Sequence, residues 1–221
     1  RPLAGVFSFN ARNFMAVEKA DRAVRAVPGG FVLWGAGPKD APWEEGSFCV
    51  RTGDGEARVN HAWFRGGWFD DLTLAWKDVE EGACYDRPPV TEGTPAPGAT
   101  VFVPFTLAPG ATKEIVVQLS WYVGTSSLRI GADPPDDEPA GERRYRPWYA
   151  GRFSGIEEAA EAWRVRYAEL REKTARFSSC FHDQTLPPEV VEAVAANLTI
   201  LKSPTVMRQS DGRLWSWEGC G

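Results

Sequence analysis

Thr100-Val101-Phe102-Val103-Pro104-Phe105-Thr106-Leu107, then Ala108-Pro109-Gly110, then Glu114-Ile115-Val116-Val117-Gln118-Leu119-Ser120-Trp121-Tyr122-Val123, is the stretch that decides the class of fold. Val, Ile, Thr and aromatic residues dominate both arms, and such side chains suit a pleated, half-buried surface. Pro109-Gly110 supplies one fixed φ and one permissive φ, which is what a tight turn needs. The expectation is a β-hairpin in which the second arm returns along the first. Pro104 has no N–H to give to a ladder, so it predicts an edge or a bulge at that point.

Working outward, Val6–Asn10 alternates, and Phe31–Trp34, Ser47–Thr52 and Asp71–Trp76 are further short strand candidates. Between the last two, residues Val59–Asp70 crowd aromatics and glycines together. That density predicts a packed loop, with a ligand-facing aromatic surface as the other reading. Cys84–Ala99, rich in Pro, Gly and Thr, reads as a loop. Several short strands in Gly- and Pro-rich surroundings point to an antiparallel β-sandwich.

Of the 22 Gly and 17 Pro, 18 and 14 lie in residues 1–153. Turn-rich β structure is therefore expected up to about residue 153 and helix after it. Residues 131–147 are polar and Pro-rich, a loop leading out of the sandwich, where Arg143, Arg144 and Arg146 follow a run of acids. Ser154 and Glu157 have capping-box spacing. Behind them Ile156, Ala160, Trp163, Tyr167, Leu170 and Phe177 recur at 3–4 spacing, which predicts one continuous helix over Ile156–Phe177, held by Trp163 and Tyr167. Leu186-Pro187-Pro188-Glu189 opens a second helix, since Pro is tolerated in the first turn. Its stripe is Val190, Val191, Val194, Ala195, Leu198 and Leu201, and Ser203-Pro204 ends it. The sequon Asn197-Leu198-Thr199 falls inside this helix and reads as a chance match.

The composition excludes several classes. There are 25 Lys+Arg against 30 Asp+Glu, a net charge of −5, and no block of five like charges, so no phosphate-tracking nucleic-acid surface is expected. No apolar run approaches the ~20 residues of a bilayer span. Cys49, Cys84, Cys180 and Cys220 show no CxxC spacing, so no metal site is expected, and they read as small buried hydrophobes or free thiols. His61 and His182 are the only histidines, which weakens a His-based triad. No GxGxxG, P-loop, HExxH or GxSxG is present, and no cofactor is implied. The chain opens Arg1-Pro2-Leu3 without Met or a leader pattern and stops at Gly219-Cys220-Gly221, so an internal piece of a longer protein is expected, with its compartment undetermined.

The C-terminal run carries the candidate chemistry. Asp211-Gly212 is a hairpin-turn signal. Alternation after it puts Leu214, Ser216 and Glu218 on one face and Trp215 and Trp217 on the other. A carboxylate beside indoles suits sugar hydrolysis, because indoles exclude water and stack on pyranose faces. By chemistry alone the same Glu also fits a solvated surface group.

Leu186-Pro187-Pro188, Ala196-Asn197-Leu198, Thr205-Val206 and Asp211-Gly212-Arg213-Leu214-Trp215-Ser216-Trp217-Glu218-Gly219 occur in that order. Val59–Asp71, Leu119-Ser120-Trp121-Tyr122 and Trp148-Tyr149-Ala150-Gly151-Arg152-Phe153 stand upstream. Together they resemble glycoside hydrolase family 116, the non-lysosomal glucosylceramidases and bacterial β-glucosidases. The resemblance implies a mainly β chain: an antiparallel β-sandwich over 1–153, incomplete at its start, a linking helix over 154–185, and over 186–221 the beginning of a catalytic α/α six-hairpin toroid, truncated here. Glu218 matches the family's nucleophile in a Gly-Arg-Phe…Glu-Gly run, with Leu214 in place of the Phe, and Trp217 is the implied substrate-binding residue. The implied reaction is retaining hydrolysis of a β-linked glycoside, a β-glucoside or a glucosylceramide-like substrate, without a cofactor or metal. The acid/base Asp lies downstream, so the remainder of the catalytic domain is the implied partner and the 221-residue chain alone is expected to be inactive. The alternatives are a non-catalytic carbohydrate-binding or scaffold sandwich and another six-hairpin glycosidase.

Overall fold

A computed structural model describes residues 1–15, 17, 20–128, 144–203 and 205–216. They fall into two compact units, Arg1–Gly124 and Thr125–Gly221.

The first unit holds two antiparallel sheets. One has three strands in the order β1 (Leu3–Arg12), β6 (Gly98–Leu107), β5 (Arg58–Asn60). The other has four, in the order β2 (Val24–Val27), β3 (Gly30–Gly35), β4 (Gly46–Thr52), β7 (Val117–Val123). A four-residue helix, α1 (Ala20–Ala23), precedes β2. Alternation along β6 sends Ala99, Val101 and Val103 to one face, where they are fully buried. They share a single hydrophobic core with Phe31 and Leu33 of β3, Val50 of β4 and Val59 of β5. Burying a Phe or Leu side chain contributes about 1.5–3 kcal/mol, so this shared core is what joins the two sheets.

The two arms of the deciding stretch are strands, but they do not pair with each other. The turn forms as its residues predict, with Gly110 at φ 76° and the Ala111 N–H donating to the Ala108 carbonyl at 3.0 Å. The chain then crosses to the other sheet, where β7 pairs with β4 from Thr52↔Val117 to Gly46↔Val123. β6 is already flanked by β1 along its length, from Leu3↔Leu107 to Arg12↔Gly98, and by β5 over Thr100–Phe102, whereas β4 offers β7 an edge seven residues long. Pro104 lies on the part of β6 beyond β5, which reaches only Thr100–Phe102. The strand has one open side there, the setting expected for a strand proline.

Residues Asp71–Trp76 are not a strand. They begin helix α2 (Asp71–Glu80). Asp70 is extended and accepts the Thr73 N–H at 2.7 Å and the Thr73 hydroxyl at 2.6 Å, an N-cap. At the other end Gly82 takes φ 62°, and the Ala83 N–H reaches the Asp78 carbonyl at 2.8 Å. The two caps override the period-2 look of Leu72, Leu74 and Trp76.

The second unit contains a 3-10 turn at Trp148–Gly151, then α3 (Ile156–Val165), α4 (Tyr167–His182), α5 (Pro188–Asn197), a 3-10 segment Leu198–Lys202, and the pair β8 (Val206–Arg208) and β9 (Leu214–Ser216). The continuous helix expected over Ile156–Phe177 is broken at Arg166, whose ψ of 8° departs from helical values. Neither Pro nor Gly stands there. Ile156 and Ala160 are buried in α3, whereas α4 buries no residue, so the helix is anchored only over its first turns. Trp163 and Tyr167 meet edge to face across the break, at 6.2 Å, and both are about 40% exposed (41% and 39%). The expected capping box does not form: Gly155 holds the cap position of α3 without a side-chain cap bond, and Ser154 before it bonds Glu158 through its N–H at 2.7 Å and its hydroxyl at 2.8 Å. The second helix starts as expected, with Pro188 at its first position.

Candidate functional site

The hairpin leading to the proposed nucleophile is well defined up to Ser216. β8 and β9 pair as Val206↔Ser216, Met207↔Trp215 and Arg208↔Leu214. Gly212 supplies the left-handed φ of 91° that the turn requires. The Arg213 N–H donates to Asp211 Oδ1 at 2.9 Å, and the Arg213 guanidinium clasps the same carboxylate at 2.6–2.8 Å. That hydrogen bond from Arg213 holds the Asp211 carboxyl below its ordinary range. Before the turn, the Ser210 N–H donates to the Arg146 carbonyl at 2.9 Å, and Gln209 is buried. Trp215 packs on Tyr145 at 4.9 Å. Arg208 lies 4.0 Å over the Trp148 ring and Arg152 lies 5.4 Å from it. Trp217 and Glu218 lie outside the described residues.

A second constellation sits on the three-stranded sheet of the first unit, on the face opposite the core. Register places Asn60, Thr100 and Asn10 side by side across β5, β6 and β1. The Trp63 indole N–H donates to the Thr100 hydroxyl at 2.8 Å, which donates in turn to Asn10 Oδ1 at 2.7 Å. Beside it, Asn60 Nδ2 donates to the Tyr85 hydroxyl at 2.9 Å, and that hydroxyl donates to Asp78 Oδ2 at 2.7 Å. Asn60 Oδ1 accepts the Ala62 N–H at 3.0 Å. The Tyr85 ring is tilted on Phe102 at 5.4 Å, and Arg87 lies 5.3 Å over it. Burial, reinforced by the hydrogen bond to Asp78, pushes the Tyr85 hydroxyl up to about 12. Tyr85 is thus a neutral, fixed hydrogen-bonding group, suited to binding and not to nucleophilic attack.

Asn60, Asp78, Tyr85 and Arg87 line a cavity of about 280 Å³, walled by Trp63, Phe64 and α2. A more open hollow of about 580 Å³ shares Trp63, Phe64 and Arg87 with it. The aromatic loop thus divides its work. Ala62 and Trp63 are buried, while Trp68 is 93% exposed. Sequence reading missed Asn60, Asp78 and Tyr85. The nearest signal was the capping pair Asp70 and Thr73, which makes α2 a helix and so brings Asp78 to Tyr85.

His61 has a structural setting, with Nδ1 2.9 Å from the Arg87 carbonyl and Nε2 3.2 Å from the Gly30 carbonyl. Cys49 is buried, Cys84 and Cys180 are exposed thiols, and Cys220 lies outside the described residues. Among the described residues no three His, Cys, Asp or Glu side chains gather as a metal site, and no helix is long and apolar enough to cross a membrane. No family model and no curated protein matches the chain.

Proposed function

We propose that the chain is the N-terminal part of a retaining β-glycosidase of the family 116 type, in which Glu218 is the nucleophile and Trp217 borders the sugar. In this reading the two sheets of the first unit are the sandwich, and α5 with the β8–β9 hairpin begins the six-hairpin toroid. The observation that carries it is the ordered series of motifs ending in Asp211-Gly212-Arg213-Leu214-Trp215-Ser216-Trp217-Glu218-Gly219. The hairpin formed at Asp211-Gly212 supports it, because it seats the motif up to Ser216 on a paired strand with a pinned turn.

Glu218 attacks the anomeric carbon and the leaving group departs with a proton from a downstream Asp, giving a glycosyl-enzyme. The same Asp then activates water, and a second displacement restores the β configuration. Two carboxylates ~5–5.5 Å apart perform this chemistry. The test is the complete enzyme on an aryl β-glucoside. Glu218→Gln should lower turnover by several orders of magnitude with the fold intact. A fluoro-sugar inactivator should label Glu218. A label on another residue, with near-normal turnover in Glu218→Gln, would refute the assignment.

A further inference from the structure

We propose that the cavity between α2, Trp63 and Tyr85 is a binding site for a neutral saccharide. Its walls have the mixed character that a pyranose presents. Phe64 offers a ring to the apolar C–H face of a sugar, and it lines both the 280 Å³ cavity and the 580 Å³ hollow. The ring is held in place. Phe69 meets it edge-on at 6.5 Å, and the Gly66 backbone lies so close to it that any Cβ at position 66 would strike it.

The polar rim is fixed with equal care. The Tyr85 hydroxyl is oriented by Asn60 on one side and Asp78 on the other. Arg87 is anchored through Nη1 to the Ala62 carbonyl at 2.9 Å. Among the described residues, the hydrogen bonds leave Asp78 Oδ1 and Arg87 Nη2 open, one an acceptor and one a donor. A sugar hydroxyl can donate to the first or accept from the second. Groups held before the ligand arrives spare the ordering cost that weakens most polar sites.

Charge balance selects the ligand class. The smaller cavity is bordered by two acids, Asp78 and Glu81, and two bases, Lys77 and Arg87. Lys77 and Glu81 face each other at 3.6 Å. A phosphate or carboxylate ligand would meet Asp78, and a purely apolar ligand would strand the Asp78–Tyr85–Asn60 chain without water. The 580 Å³ hollow falls within the ~300–1,000 Å³ of small-ligand clefts, and the 280 Å³ cavity lies just below that range.

The experiment is a titration of the 221-residue chain with cellobiose, read at the indole N–H resonance of Trp63. A saturable shift is expected. Phe64→Ala and Asp78→Asn should each weaken binding about tenfold, which is a loss of about 1.4 kcal/mol. Preservation of the Trp63–Thr100 resonance pattern shows that each variant is folded, and Asp78→Asn keeps the test open should Phe64→Ala unfold. An unmoved Trp63 resonance, unchanged affinity in both variants, or saturation by inorganic phosphate or cyclohexanol in place of cellobiose overturns the proposal. Phe64→Ala and Asp78→Asn alter residues of this cavity, whereas the fluoro-sugar labelling reads Glu218 itself, so the two results stand or fall separately.

Discussion

The indole N–H of Trp63 donates to the hydroxyl of Thr100 at 2.8 Å, and this bond fastens the aromatic loop to the central strand of the three-stranded sheet. Both residues are almost fully buried, at 4% and 1% exposure. Thr100→Val keeps the shape and removes the hydroxyl. It strands the buried indole N–H, so a loss of about 1–3 kcal/mol is expected in urea unfolding. Thr100→Ser should retain most of it.

Gly98 makes that approach of Trp63 feasible. A Cβ there would lie 2.5 Å from the Ala11 carbonyl oxygen and 2.6 Å from Trp63 Cε3. Gly98→Ala should destabilise by about 1–3 kcal/mol through overpacking, and should shift the Trp63 fluorescence.

Stability should fall at high pH through Tyr85. Its folded pKa of about 12 exceeds the ordinary value of 10.0, so the folded state holds the proton more tightly than the unfolded chain does. The contribution is complete below pH 10 and is lost as pH rises through about 12. Unfolding midpoints followed from pH 9 to 12 should show the decline, with less slope in Tyr85→Phe.

The break between α3 and α4 leaves Arg166 paired with Glu169 at 3.0 Å, and Lys173 joins the same carboxylate at 2.6 Å. The hydrogen bond from Arg166, then that from Lys173, lowers the Glu169 carboxyl to about 2. A group lowered in this way stabilises the fold above its ordinary pKa of 4.5, and the contribution disappears as pH falls through about 2. Carboxyl NMR should show the low midpoint directly, and Arg166→Ala should raise it.

In the core, Phe31 is fully buried, whereas Leu214 on β9 is 68% exposed. Phe31→Ala should cost about 3–5 kcal/mol. Leu214→Ala should stay within about 0.5 kcal/mol, as expected for a surface position. Chemical denaturation of both variants checks the contrast.

Local chemistry was legible in the sequence wherever neighbouring residues decide the conformation. Alternation marked β1, short runs marked β3 and β4, and β-branched and aromatic composition marked β6 and β7. Pro109-Gly110 and Asp211-Gly212 marked their turns, and Pro187-Pro188 marked the start of α5. Asp70, Thr73 and Gly82 also carried the caps of α2, but the apolar alternation at Leu72, Leu74 and Trp76 masked them. Ser154 reads as the cap of α3, but Gly155 takes that position and Ser154 bonds Glu158 instead.

Partnership was decided by tertiary structure alone. β6 and β7 look like a hairpin because both arms suit a sheet, yet nothing in a strand's own residues says which edge it meets. β1, almost a hundred residues away, takes the edge of β6, and β7 pairs with β4. The cavity has the same origin. Asn60, Asp78 and Tyr85 stand apart in sequence and are ordinary polar residues taken singly. Register at β5, the caps of α2 and the ring contact of Tyr85 with Phe102 bring them within hydrogen-bond reach. Turns and caps answer to forces acting over a few residues, whereas strand pairing and site assembly depend on which buried surfaces find each other across the chain.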